Sequence, residues 1–134
     1  MSRGTGISSE ARLRARLASA GLRSSEWGNG PDDQYAPHRH DYDKVIVVAR
    51  GSIAFELPEA GRRIELVAGD RLELPAGTLH GASVGSTGVT CLEAHLPASV
   101  LPHRGASVDA GWGRADVIAG LAAAPDETAP GSGT

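Results

Sequence analysis

Short apolar segments alternate with tight-turn sequences in the middle of this chain, and their spacing limits the folds that it can adopt. The segments cover residues 45–49 (VIVVA), 52–57 (SIAFEL), 62–67 (RRIELV), 71–75 (RLELP) and 89–96 (VTCLEAHL). Each has the length of a single strand, and glycine or proline lies between neighbouring segments. Strands this short, joined by close turns, predict an all-β antiparallel sandwich or barrel.

The two ends of the chain predict different structures. A helix should begin at Ser8 or Ser9, where serine can cap the first turn, and end at Gly21. Residues 22–37 are rich in turn formers and indicate a loop or an irregular edge strand. We therefore expect a tail and helix (1–24), a barrel (25–100), an extension packed on the barrel (101–124) with a short helix over 116–124, and a disordered tail (125–134).

Composition excludes several classes of function. With 134 residues the chain is expected to form one domain with tails. A net charge of −3 argues against a nucleic-acid partner. No apolar run approaches the roughly 20 residues that cross a bilayer, so no membrane partner is expected. The single cysteine, Cys91, allows no internal disulfide, and no secretion signal follows Met1, which predicts a cytoplasmic location.

Three histidines mark a candidate site. His38 and His40 are one residue apart, so both imidazoles leave the same face of an extended strand. His80 closes a second strand-like segment. Imidazoles suit zinc, iron, copper or nickel, whereas calcium and magnesium prefer oxygen ligands. The candidate metal ligands are therefore His38, His40 and His80, and a strand that continues without a bulge would point Lys44 to the same side.

The spacing of these residues resembles the two sequence motifs of the cupin superfamily. The matching positions are His38, His40 and Gly51 in the first motif, and Gly69, Pro75, Gly77 and His80 in the second. The match covers roughly residues 32–97. The resemblance implies a small jelly-roll β-barrel whose three histidines bind a divalent transition metal such as zinc, iron, nickel or manganese.

Lys44 is the main departure from the cupin pattern, because that position usually holds a metal-binding glutamate. Val84 also replaces a common asparagine, and Asp32 replaces a leading glycine. A protonated lysine cannot ligate a metal ion and brings a like charge into the cavity. Three outcomes stay open: the ammonium pairs with a carboxylate, its pKa falls until it is neutral, or the site holds no metal.

Glu93 is the carboxylate that could pair with Lys44 or ligate the metal in place of the missing glutamate. It shares one strand face with Cys91 and His95, while the opposite face carries leucine and alanine. Because an apolar face usually packs in the core, we expect the leucine face to point inward and Glu93 to lie on the outside. If the polar face points inward instead, Glu93 and His95 belong to the site.

The remaining candidates have less specific roles. Tyr35 and Trp27 could line a ligand pocket, although covering the core is the default role of such residues. Cys91 is expected to be a small buried hydrophobe, because no activating charge lies next to it in the sequence. His103 lies outside the motifs and is expected to be structural or exposed.

The resemblance implies a metal-dependent enzyme of the oxygenase, isomerase or lyase type that acts on a small, anionic molecule. Lys44 would then orient the anion. The alternatives are a non-catalytic module that senses a metal or a small ligand, and a barrel that has lost its metal. A monomer of this size would leave sheet edges exposed, which favours a homodimer.

Overall fold

The computed structural model describes residues 9–114. Its elements are α1 (Ser9–Ser19), β1 (Ser24–Asn29), β2 (Gln34–His38), β3 (Asp43–Leu57), β4 (Arg62–Val67), β5 (Arg71–Leu74), β6 (His80–Leu96) and β7 (Ser107–Asp109). The predicted all-β fold with a short N-terminal helix is confirmed.

Strands β3 and β6 form the centre of a seven-stranded sheet with the order β1-β6-β3-β5-β7. Strand β2 also pairs with β6, and β4 also pairs with β3. All of these pairs are antiparallel. Residues from both halves of β3 and β6 pack in one hydrophobic cluster, so the sheet closes around it in the manner of a barrel.

The predicted ends of two strands were wrong. The segments 45–49 and 52–57 were expected to be separate strands, but β3 runs through both of them, and β6 begins at His80, well before the predicted segment 89–96. The pairing register instead shifts on both sides of Gly51. Gly51 has a φ of +79°, and a Cβ there would lie 2.0 Å from the carbonyl oxygen of Gly88. Glycine is needed here because the two strands bend together at close approach.

Residues 22–37 contain two strands, β1 and β2, where the sequence indicated a loop or an irregular edge strand. Both pair with β6, which satisfies their backbone groups. All five residues of β2 are exposed, and β1 has no buried residue. Edge strands with so little burial lack the apolar alternation from which a strand is usually predicted.

Both faces of the central strands are covered. Inside the barrel, the core contains Ile46, Val48, Phe55 and Cys91. A second cluster joins Val45, Val47, Leu92 and Ala94 to Leu13 and Leu17 of α1. The helix therefore packs on the outer face of the sheet and makes a second apolar layer there.

The described C-terminal segment packs against the sheet and the helix. Strand β7 pairs with β5, and the guanidinium of Arg16 lies 4.4 Å from the centre of the Trp112 ring. The predicted helix over 116–124 and the predicted tail over 125–134 lie outside the described residues. Within residues 9–114, no helix is long and apolar enough to span a membrane.

Candidate metal centre

The three predicted histidines lie together at one end of the barrel. His38 ends β2 and His80 begins β6, and the two are direct partners in the pairing of these strands. His40 lies in the turn between β2 and β3, where its carbonyl oxygen accepts a 2.8 Å hydrogen bond from the Gly77 amide. One nitrogen from each of the three rings lies within 4.8 Å of the others. The strand does not continue through His40, because β2 ends at His38 and β3 begins at Asp43, but the turn between them still brings the rings together.

Backbone carbonyls select the tautomer of two of the rings. The Nδ1 of His38 lies 2.9 Å from the carbonyl oxygen of Ala36, and the Nδ1 of His80 lies 2.8 Å from that of Thr78. A carbonyl oxygen only accepts, so both Nδ1 atoms carry the hydrogen and both Nε2 atoms keep a lone pair. The Nε2 of His80 is buried and has no hydrogen-bond partner among residues 9–114.

This arrangement fits a transition metal ion. A metal-binding histidine typically donates its other ring N–H to a carbonyl or a carboxylate, which fixes the ring orientation. His38 and His80 are held in this way. A buried lone pair without a donor is costly, and a bound metal ion would satisfy it. The three histidines thus supply a donor set suited to such an ion.

The pKa values of the site favour neutral imidazoles. The pKa of His80 is lowered to about 4, mainly by burial and to a smaller extent by the positive charge of Lys44, against the hydrogen bond to Thr78. Burial and Lys44 also lower the pKa of His40. Metal binding requires unprotonated imidazole, so these shifts keep the ligands ready near neutral pH.

We expect the metal-free protein to lose stability as the pH falls from about 6.5 to about 4. In this window the unfolded chain protonates His80 while the folded chain does not, so protonation favours unfolding. Above pH 6.5 the contribution of neutral His80 to the free energy of unfolding is fully present, and below about pH 4 that contribution has been lost. Urea denaturation in the presence of a chelator measures it. A His80→Gln variant should lose less stability over the same interval; an equal loss would contradict the assignment.

Lys44 points into the cavity and pairs with Glu93. Its Nζ lies 3.4 Å from Glu93 Oε1 and 3.5 Å from His40 Nε2. Both partners of the ion pair are largely buried, with side-chain exposures of 11% and 12%. Of the three outcomes left open by the sequence, the structure thus provides the first, an ammonium paired with a carboxylate.

Glu93 lies inside, contrary to the expectation that the leucine face alone would be the core. Its Oε1 also accepts a 2.9 Å hydrogen bond from Trp27 Nε1, and its Oε2 lies 2.5 Å from His95 Nε2. The prediction failed because α1 covers the leucine face and the barrel interior takes the other. Glu93 is not among the residues whose ligand atoms lie within 4.8 Å of one another, and in this structure it pairs with Lys44.

Two more predicted residues lie near the site. His95 has an exposed side chain and contacts Glu93 from the outside. Cys91 is fully buried in the inner core, where burial raises the pKa of its thiol to about 12, as expected of a structural cysteine. His103 is exposed and lies 3.4 Å from Glu73, away from the three histidines.

The histidines open into a cavity of about 270 Å³. Its lining includes the predicted candidates Lys44, Glu93 and Tyr35. Tyr35 is 39% exposed. The wall also contains apolar and aromatic side chains, those of Trp27, Tyr42, Ile46, Phe55 and Ala82. Tyr42 and Phe55 were not predicted to line the site. The HxH spacing gave no signal for Phe55, because only the bend at Gly51 brings its half of β3 back to the site.

Comparison with solved structures gives the fold. YhaK from Escherichia coli has a TM-score of 0.57 and 20% identity, over 66% of this chain and 42% of YhaK. A cupin superfamily protein from Desulfitobacterium hafniense has a TM-score of 0.50 and 18% identity, over 57% of this chain and 67% of that protein. Unsaturated fatty acid-bound ToxT from Vibrio cholerae has a TM-score of 0.56 and 9% identity, over 73% of this chain and 44% of ToxT.

The chain therefore has a cupin-like fold, as its motifs predicted. It spans less than half the length of YhaK and of ToxT. No protein-family model matches the sequence, and no curated protein matches it either. Within this fold, three histidines lie close enough together to hold a metal ion.

Proposed function

We propose that this chain holds one divalent transition metal ion through the Nε2 atoms of His38 and His80 and through His40. We further propose that it uses this centre as an enzyme of the oxygenase, isomerase or lyase type on a small organic molecule. The observation that carries the proposal is the buried Nε2 of His80, which has no hydrogen-bond partner in the described chain. Imidazole ligands suit zinc, iron and nickel, and manganese is a candidate because of the resemblance to cupins.

When bound by His38, His40 and His80, a metal ion would supply Lewis-acid chemistry toward a substrate oxygen or water. The chain itself supplies the surroundings of this centre. Ile46 and Phe55 form an apolar wall that excludes water from the buried side. Glu93, held by Trp27, keeps the Lys44 ammonium at the edge of the histidine cluster.

A second candidate is a cupin that binds a small ligand without a metal and without catalysis. The Nζ of Lys44 lies 3.5 Å from His40 Nε2, so a small movement would let it donate a hydrogen bond to the lone pair that the metal needs. The ammonium would then occupy part of the metal position. Metal analysis separates the two candidates.

We expect protein purified without a histidine tag to bind about one metal ion per chain, and a His80→Ala variant to bind well below that. Removal of one of three ligands leaves too few donors for tight binding. Elemental analysis, followed by a zinc titration against a chromophoric chelator, measures both the content and the affinity.

The matched control is His103→Ala, which removes an exposed imidazole far from the cluster. It should bind metal as the unchanged protein does, and circular dichroism should show that every variant is folded. Equal metal content in the His80→Ala and the unchanged proteins would overturn the metal centre and favour the metal-free candidate. The homodimer and the cytoplasmic location stay predictions.

A further inference from the structure

The charge balance of the cavity is incomplete once a metal ion is present. Among the described residues that line it, Lys44 and Glu93 form one ion pair and the three histidines are uncharged ligands. A divalent ion would therefore add two positive charges with no carboxylate ligand beside it. Charge that is uncompensated in a partly apolar cavity is costly. A negatively charged ligand would lower that cost.

Lys44 still has hydrogen-bonding capacity for such a ligand. An ammonium has three N–H donors, and Glu93 takes one of them at 3.4 Å. The contact with His40 is long, at 3.5 Å. Lys44 is also the only lysine in the sequence, because the other 12 of its 13 basic residues are arginines. The single compact ammonium of the chain thus lies in this cavity.

The walls of the cavity limit the rest of the ligand. Trp27, Ile46 and Phe55 present apolar surface. The volume of about 270 Å³ is at the lower end of the range for ligand pockets. These features suit a small molecule with one charged end and a flat apolar body.

We propose that the cavity binds a small organic monoanion, such as a carboxylate, whose charged group contacts both Lys44 Nζ and the three-histidine centre while its apolar body lies against Trp27 and Phe55. Lys44 is then the residue that determines specificity for the anion. This inference rests on the proposed metal centre, because the metal ion supplies the charge to be balanced.

Benzoate and its neutral isostere benzamide are suitable probes. Zinc content is measured first, and each probe is then titrated into the zinc-loaded protein by calorimetry. Lysine labelled with ¹³C at the ε carbon gives one side-chain signal, that of Lys44, in the NMR spectrum. Benzoate should shift this signal and benzamide should not.

We expect Lys44→Met to weaken benzoate binding about tenfold or more, since a hydrogen bond between charged groups is lost. Arg63→Met removes the same charge from an exposed position on β4 and should have no effect. Because Lys44→Met leaves the buried charge of Glu93 without its ammonium partner, a Lys44→Met/Glu93→Gln variant removes both charges and should remain equally weak.

Three results would overturn the inference. Recovery of benzoate binding in the double variant would show that Lys44 only neutralises Glu93. Zinc-loaded protein that binds benzoate no better than benzamide would overturn the inference alone and leave the metal centre standing. Unchanged protein that retains no zinc would overturn the proposed function and this inference together, and the zinc measurement identifies that case before any probe is added.

Discussion

Replacement of Asp43 with alanine should lower the free energy of unfolding by about 3 kcal/mol or more, because it removes the buried, charged acceptor of four backbone amides. The Asp43 carboxylate is 1% exposed. It accepts hydrogen bonds from the amides of Ala76, Val100 and Leu101 at 2.7–2.8 Å, and from that of Ser99 at 3.4 Å. One side chain thus joins the start of β3 to the turn before β6 and to the segment after it.

This carboxylate also supports the metal centre. Asp43 precedes Lys44, and Ala76 precedes Gly77, whose amide binds the carbonyl oxygen of His40. Loss of the carboxylate would loosen both the lysine and the turn that carries His40. We therefore expect the Asp43→Ala variant to lose metal affinity together with stability.

The pH dependence tests the cause of the destabilisation. Burial alone would raise the pKa of Asp43, but the amides of Leu101, Ala76, Val100 and Ser99 together lower it below its usual value. Its stabilisation is therefore fully present above a pH of about 3.8 and is lost as the pH falls through the lower folded-state pKa. The difference between the unchanged protein and the variant should shrink in that acidic range.

Urea denaturation measures both effects. The matched control is Asp33→Ala, because the exposed Asp33 carboxylate accepts one backbone amide, that of Gly30. Its loss should cost about 1 kcal/mol or less. A similar small cost for Asp43→Ala would show that the loops find other partners or water.

The sequence predicted which three histidines lie together, because the motif spacing carries that information. His38, His40 and His80 were identified although the strand breaks after His38. The motif spacing places the three histidines at one end of the barrel, whereas the alternation of side chains along a strand does not describe the turn that carries His40. Lys44 was likewise expected inside, and it lies there.

The interior position of Glu93 could not be derived from its own strand. Its segment has a polar face and an apolar face, and the usual rule places the apolar face in the core. The rule assumes one buried face, whereas α1 and the barrel interior bury both faces of β6. That arrangement depends on where the helix packs, which is a tertiary property.

Asp43 shows a second limit of sequence reasoning. The sequence around Asp43 does not predict its role, because its four amide donors belong to residues that are 33 to 58 positions away along the chain. Residues 22–37 were predicted only as a loop or an irregular edge strand for a related reason, since the stability of β1 and β2 comes from pairing with β6 rather than from an apolar pattern of their own. Contacts that close only in the folded barrel leave no periodic signal.

Exchange of Lys44 for glutamate should make the centre bind a divalent metal ion at least about a hundredfold more tightly. The change replaces a cation near the histidines with an anion, and the interaction of a unit charge with a divalent ion at a few ångströms is worth several kcal/mol even when screened. The new side chain would also restore the carboxylate that the cupin motif has at this position.

The metal-free form of this variant should be less stable than the unchanged protein. Lys44 now offsets the buried charge of Glu93 at 3.4 Å, and a glutamate there would face it as a like charge. Zinc would relieve the repulsion, so it should raise the thermal unfolding temperature of Lys44→Glu much more than that of the unchanged protein.

Zinc competition with a chelator and thermal unfolding with and without zinc measure the two parts of this prediction. Lys44→Gln is the matched control, because it removes the positive charge without adding a negative one, and it should fall between the two proteins in zinc affinity. A Lys44→Glu variant that is destabilised but gains nothing from zinc would show that the three histidines do not hold a metal. In that case no cation would relieve the repulsion between the introduced carboxylate and Glu93. The second candidate, a barrel that binds a small ligand without a metal, would then be the better description of this protein.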